Sequence, residues 1–385
     1  MMGAVLREAR LRAGVSLTLM AELTHFSRST LGHMETGVRR VQPEVVRAYE
    51  RALGITGLDE DVNRRELLMA ATGLAATEPL LRLVDGLSAP AAPATARIGM
   101  AEVDAVREAG RFATSMDFRL GGEVAARVGA ESLRWAVSLM DGSMSTGTRT
   151  ALSGAVASLA DRVAYSLHDS ERRTQAYRVA ALAVRASREG NDPSLRAHVL
   201  IDIASFTAKT SPGDGVSILR TSLSDKDIYP LERANMHYAS ARMLANDGRP
   251  GEAMECFETG ERLASRAPRA EPPPSVGFLR TSGHLDSVAG GVLMRIAQTM
   301  GRRQAMPVFE EAAARLTSAF DAFGQDRNRA KAHLLVKLAR VRIGQGEFSE
   351  AASLIDKAES RATDVRSGRL RTFVAELRNE LAQAT

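Results

Sequence analysis

Apolar residues recur every three or four positions along most of this chain, and turn residues cut the pattern into helix-length pieces. Four pieces fall in the first sixty residues. The first covers about residues 3–13, with Leu6, Ala9, Arg10 and Ala13 on one face, and stops at Gly14. Ser16 can cap a second piece that turns Met20 and Ala21 inward, and after a turn at Thr24, His25 and Phe26, Ser27 can cap a third that ends at Gly37. Pro43 suits the first turn of a fourth, with Val46 and Leu53 packing back. A polar run at 59–66 then offers Asn63 as a helix cap and Glu66 as its capping-box partner, ahead of an apolar stretch at 67–76. Residues 88–95 are rich in Ala and Pro and read as a joint. From about residue 97 to the end, amphipathic helices alternate with short turns.

Within that long portion one pattern returns. Its sharpest copy is Ala339, then Gly346-Glu347-Phe348, Ala351, Ile355 and Ala358; a second is Ala241, then Gly248, Pro250, Ala253, Phe257 and Gly260. Weaker copies place Ala164, Ala176, Ala180 and Ala183, then Ala204, Val216 and Leu223, in matching spots. The equivalent positions Ala176, Val216, Ala253, Met306 and Ala351 are spaced by 40, 37, 53 and 45 residues, so the repeats are uneven. The longest gap, with Pro268 and Pro272–Pro274, reads as a surface loop.

Composition narrows the picture. With 385 residues, 44% hydrophobic and 25% charged, the chain is a folded protein with more than one core, and its Ala and Arg content with only 4% aromatics favours helix. Cys256 is the single cysteine, which excludes an internal disulfide and a cysteine-based zinc site. Arg7, Glu8, Arg10 and Arg12 interrupt any leader-like apolar run at the front, and no stretch is long enough to span a bilayer. The twin arginines 64 and 65 precede an apolar run, yet they lie inside the chain and behind a folded unit. A cytoplasmic location is expected, with no membrane partner. Residues 1–58 hold eight Arg against five Glu, whereas the rest of the chain holds 43 basic and 41 acidic side chains. The basic excess is thus concentrated at the front, where a polyanion would bind.

The chemistry there is specific. Two short helices joined by a tight turn form the unit that places its second helix in the major groove of DNA. Arg28, Ser29 and Thr30 open that second helix, and His33 follows one turn on; Arg suits guanine, and hydroxyls suit phosphate or base edges. Arg39 and Arg40 come just after it, placed to grip phosphate, and Ser16 joins the candidate contacts from the start of the preceding helix. On Leu6, Arg7, Arg10 and Gly14, then Ser27 to Leu31, then Met34, Glu35 and Gly37, and Pro43, this segment resembles the lambda-repressor-like, XRE-family helix-turn-helix. The resemblance implies a pair between Arg10 and Glu35 that ties the first helix to the recognition helix, which a bidentate contact would do mechanically. Three positions depart from the family pattern: Leu17 stands where a backbone-contacting glutamine is usual, His25 replaces the turn glycine, and Gly32 sits inside the recognition helix.

The repeats resemble the tetratricopeptide repeat, a helix pair of about 34 residues whose small residues sit at the helix crossing. The fold class implied is all-α: a five-helix-type helix-turn-helix domain at 1–58, a linker with one helix at 59–96, and a tetratricopeptide-like α-solenoid at 97–385. Asp117, Gly121, Gly122 and the Ala-rich run from Ala151 to Arg188 also resemble a group of actinobacterial regulators with this two-part plan. The layout is similar to the peptide-pheromone receptors of Gram-positive bacteria, which implies a small peptide on a concave repeat surface. Counting along each first helix brings Asp161, Tyr165, His198, Ser205, Asn235, Tyr238, Arg242, Asn246, Arg295, His333 and Arg340 to that inner surface. Asn can hold a peptide backbone and Arg a carboxylate. A solvated polar groove without a ligand fits the same pattern.

No nucleophile elbow, phosphate loop or dinucleotide fingerprint occurs, and the seven histidines show no paired metal spacing, so neither enzyme chemistry nor a cofactor is expected. Gly121-Gly122 and Gly290-Gly291 read as turns or close packing, and Trp135 and Cys256 as core. The expected function is a DNA-binding regulator that recognises a palindromic operator as a homodimer and senses a small molecule or short peptide. An adaptor whose repeat groove binds a partner protein is the alternative.

Overall fold

Ser16 and Ser27 each accept a hydrogen bond at 3.1 Å from the backbone amide three residues on, Leu19 and Thr30, and so start two of the first four helices. In the computed structural model, which describes residues 2–39, 41–58, 60, 64, 97–268 and 271–385, these helices are α1 (Met2–Arg12), α2 (Leu17–Thr24), α3 (Arg28–Glu35) and α4 (Pro43–Leu53). Pro43 opens α4, and Gly54 closes it in the left-handed conformation. One apolar face of each helix meets in a small core of Val5, Leu6, Met20, Leu31, Met34, Val46 and Tyr49. Ala13 is exposed and outside that core. A fifth helix of this unit, Arg40, Asn63 and Glu66 with their linker helix, and the Ala- and Pro-rich joint fall wholly or partly outside the described residues.

The turn between α2 and α3 passes through His25 at φ 59° and ψ 18°. A side chain there crowds its own carbonyl, and glycine would not. We expect His25→Gly to stabilise this unit by about 1 kcal/mol, read as a higher midpoint of its thermal transition. An unchanged or lower midpoint would show that the turn carries no strain.

The chain divides into two compact units, Met1–Met69 and Ala70–Thr385. The second is built from α5 (Met100–Leu120), α6 (Gly122–Leu139), α7 (Thr146–Asp169), α8 (Arg173–Glu189), α9 (Pro193–Thr207), α10 (Pro212–Arg220), α11 (Pro230–Asn246), α12 (Pro250–Ser265), a 3-10 helix (Pro274–Arg280), α13 (His284–Gln298), α14 (Arg302–Ala322), α15 (Asn328–Gln345), α16 (Phe348–Asp364) and α17 (Gly368–Ala384). The fold is all-α: among the described residues no strand forms, only an isolated bridge between Arg97 and Ser143. Ala176, Val216, Ala253, Met306 and Ala351 each fall in the first turn or so of the second helix of a pair. Close crossings use the small residues of the pattern: a Cβ on Gly260 would lie 2.8 Å from the Tyr238 ring.

The array is not an open concave surface. Its inner helices α7, α9, α11, α13, α15 and α17 each touch the next, and α17 returns to touch α7. The ring is locked where its ends meet. Arg366 accepts from the Glu123 amide at 3.1 Å and donates to the Leu120 carbonyl at 2.9 Å. Gly121, at φ 89°, lets that backbone in, for a Cβ there would lie 2.7 Å from the Arg366 carbonyl oxygen. Arg329 of α15 bonds Asp117 of α5 at 2.5 Å and stands 3.6 Å from Asp169 of α7.

Further expectations are corrected. The segment after Pro272 is no surface loop: Val276 and Leu279 are buried against Leu231, because its Val-Gly-Phe-Leu run is apolar enough to join the wall. Trp135 is not core but 38% exposed, and Phe112 and Leu120 are exposed too; Cys256 is half-buried.

Candidate functional site

The helix-turn-helix is held by one polar cluster in its core. Arg10 donates from Nε and Nη2 to the two carboxylate oxygens of Glu35 at 2.7 and 2.6 Å and from Nη1 to the Val15 carbonyl at 2.9 Å. Tyr49 donates to Glu35 at 2.8 Å. All three side chains are buried, so the pair expected from the family resemblance is a fixed link from α1 through α3 to α4. The hydrogen bond to Glu35 raises the pKa of Arg10, and burial followed by Glu35 raises that of Tyr49. With its base clamped, α3 presents Arg28, Ser29 and His33 to solvent, and Arg39 is exposed beyond it. Thr30 is half-buried and its hydroxyl accepts from Ser27 at 2.8 Å; Ser16 is occupied in capping α2. Leu17 packs into the core, its side chain 3.4 Å from where a Cβ on Gly32 would sit.

The ring of the second unit encloses a cavity of about 1610 Å³. Asp161, Tyr165, His198, Asn235, Tyr238, Arg242, Asn246, Arg295 and Arg340, named above from helical periodicity, all lie in its wall, as do Ser205 and His333. They differ in what they offer. Tyr238 is 1% exposed and gives its hydroxyl to Glu261 at 2.5 Å, which Arg315 holds at 2.6 Å, so it builds the wall. Asn246 donates to the Ala208 carbonyl at 3.1 Å, and Arg340 is bidentate to Glu380 at 2.9 and 3.1 Å. Asn235 approaches Glu232 at 3.4 Å. Tyr165 lies under Arg162, Arg329 and Arg369 and accepts from Arg369 at 2.8 Å.

Asp161, His198 and Asp202 bring one ligand atom each within 4.8 Å, a grouping that spacing along the chain did not suggest. It has the donor types for a cation, but Arg162 already donates to both carboxylates, at 3.0 and 3.2 Å. Burial pushes Asp161 up to about 6, assisted by Asp202. Burial alone would lower His198, yet Glu232, 3.2 Å from its Nδ1, with Asp202 and Asp161, raises it to about 9. The cluster therefore holds its own positive charge near neutrality. Beside it, Phe278 packs on His198 at 4.6 Å and edge-on to His284 at 5.1 Å. Burial brings His284 down to about 3, so that ring is neutral.

Several wall residues escaped sequence reasoning. Lys337 lies four residues after His333 and three before Arg340 on one face of α15, so periodicity could have found it. Arg369, Phe373 and Glu376 lie on α17, which has no second helix and so showed no repeat signature.

These features define an all-helical protein with an N-terminal helix-turn-helix unit and a C-terminal helical ring. A family model described as a helix-turn-helix domain matches residues 2–64, and the chain accordingly carries an N-terminal helix-turn-helix domain of DNA-binding type. No curated protein and no solved structure matches the chain. Among the described residues no helix is long and apolar enough to cross a membrane.

Proposed function

We propose that this chain is a cytoplasmic transcription regulator of the XRE type, without catalytic activity. Its α3 reads an operator in the major groove, and its tetratricopeptide-like ring holds a small ligand. The observation that carries this reading is the exposed Arg28, Ser29 and His33 at the front of a helix whose base is clamped by Arg10, Glu35 and Tyr49. One such helix covers few base pairs, so the reading includes a homodimer on a palindromic site. Phe112, Leu120 and Trp135 supply apolar surface that a dimer could bury. Closure of the ring favours a small molecule over a partner protein laid in a groove. The domain limits 1–58, 59–96 and 97–385, and the contacts assigned to Ser16, Arg28, Ser29, Thr30, His33, Arg39 and Arg40, belong to this proposal.

Selection from a random duplex pool, followed by footprinting, tests it. Wild-type protein should enrich one palindromic sequence, with binding that falls steeply as salt rises. Arg28→Ala should abolish the sequence preference, and Arg40→Ala should weaken all sequences alike while flattening the salt slope by about one unit. If Arg28→Ala still selects the same operator, α3 is not the reading helix.

A further inference from the structure

Most charge inside the ring is answered. Arg162 faces Asp161 and Asp202, Arg329 faces Asp117 and Asp169, Arg340 faces Glu380, and Lys209 faces Glu376. Three cations of the cavity wall lack a direct carboxylate partner, and only longer-range attraction reaches two of them, from Asp202 to Arg242 and from Glu380 and Glu376 to Arg295. Among the described residues Arg242 of α11 makes no hydrogen bond or ion pair, and its Nε is buried without a partner. Arg295 of α13 makes none either. Lys337 of α15 donates only to the Ser287 carbonyl, at 3.0 Å. They come from three consecutive helices of the inner row, each touching the next.

Arg242 is close enough to the other two to disfavour their charged forms. Burial, then Arg242 and Arg369, brings Lys337 down to about 8; burial, then Arg340 and Arg242, lowers Arg295, against the weaker pull of Glu380 and Glu376. Gly291 provides the room: a Cβ on it would lie 2.8 Å from the Lys337 ammonium nitrogen. A protein interior does not gain stability by gathering unpaired like charges, since desolvation and repulsion both oppose it. An anion bound among them would relieve both costs.

We propose that Arg242, Arg295 and Lys337 bind the phosphate or pyrophosphate group of a small organic ligand whose body occupies the rest of the ring. This inference rests on the reading of the ring as a ligand-binding chamber and specifies the ligand's chemistry. Three cations on one wall call for two or three negative charges on one compact centre. A pyrophosphate carries these, whereas a peptide C-terminus brings one. Guanidinium forks meet phosphate oxygens in pairs, and an ammonium serves as a point charge on a third. A cavity of about 1610 Å³ far exceeds a bare anion, and drug-sized ligands fill sites of roughly 300–1,000 Å³. Phe278 and the neutral ring of His284 offer flat surfaces for an unsaturated body.

The test is calorimetric titration of the full-length protein with pyrophosphate at fixed ionic strength, with citrate as a carboxylate of similar charge. One pyrophosphate should bind per chain, at least tenfold more tightly than citrate. Arg242→Gln and Lys337→Met should each weaken it at least tenfold, and Arg28→Ala should leave it unchanged. Because each substitution in the ring removes an unanswered charge, both variants should melt no lower than wild type. The site is overturned if pyrophosphate does not bind, if both ring variants bind it as wild type does, if citrate binds equally well, or if the variants melt lower. Pyrophosphate binding is read whether or not an operator exists, so a failed operator search overturns the regulator reading alone, and absent pyrophosphate binding overturns this site alone.

Discussion

Arg329→Ala should destabilise the helical ring by about 3–5 kcal/mol, the cost typical of removing one partner from a buried ion pair. Asp117 and Asp169 are both fully buried, and Arg329 is the cation they share, 2.5 Å from the first and 3.6 Å from the second. Burial pushes the Asp117 carboxyl up. It would raise Asp169 as well, but Arg329, with His333 and Arg369, holds that carboxyl well below its ordinary range. Without Arg329, Asp169 keeps only Arg369, at 3.8 Å, as a nearby guanidinium. The loss falls on the closure of the ring, since Arg329 ties α15 to α5 and α7. Urea unfolding of the full chain should show it as a lower midpoint. Adding Asp117→Asn to Arg329→Ala should recover part of the loss, because one stranded charge is removed. A loss below about 1 kcal/mol would mean that water reaches the clasp and that the pair is worth no more than a surface bridge.

Arg10→Ala should have an effect of similar size on the first unit. Its side chain and that of Glu35 are 8% and 4% exposed, and the substitution leaves Glu35 charged in the core with only the Tyr49 hydroxyl as a donor. The expected cost is about 3–5 kcal/mol, enough to unfold most of so small a unit and to lose with it the duplex binding proposed above. The paired replacement Arg10→Met with Glu35→Leu should recover most of the stability, since no charge is then stranded. Denaturation and duplex binding measured on both variants check this. If the single variant keeps its stability, the pair is not what ties α1 to α3.

Both clusters are arginine-carboxylate links in a core, yet they were not equally visible beforehand. Arg10 and Glu35 are 25 residues apart within one short motif whose pattern names both. Asp117 and Arg329 are 212 apart. In the sequence Asp117 stands out with Gly121 and Gly122 only through a resemblance; the structure supplies the reason, since all three sit where the ring closes.

Local physics is what the amino-acid order determined here. Serine caps, Pro43, turn glycines and a period near 3.6 specify which segments are helical, and that period also brings eleven named side chains to the wall of one cavity. Whether the row of helices stays open or bends until α17 meets α7 depends on contacts between residues far apart in sequence, which no periodicity encodes. The same holds for which interior cations are answered. Arg340 meets Glu380, whereas among the described residues Arg242 makes no hydrogen bond or ion pair, although both lie on first helices of their pairs and face inward alike. Periodicity orients a side chain; only the packed neighbours decide whether its charge is neutralised or left for something else to bind.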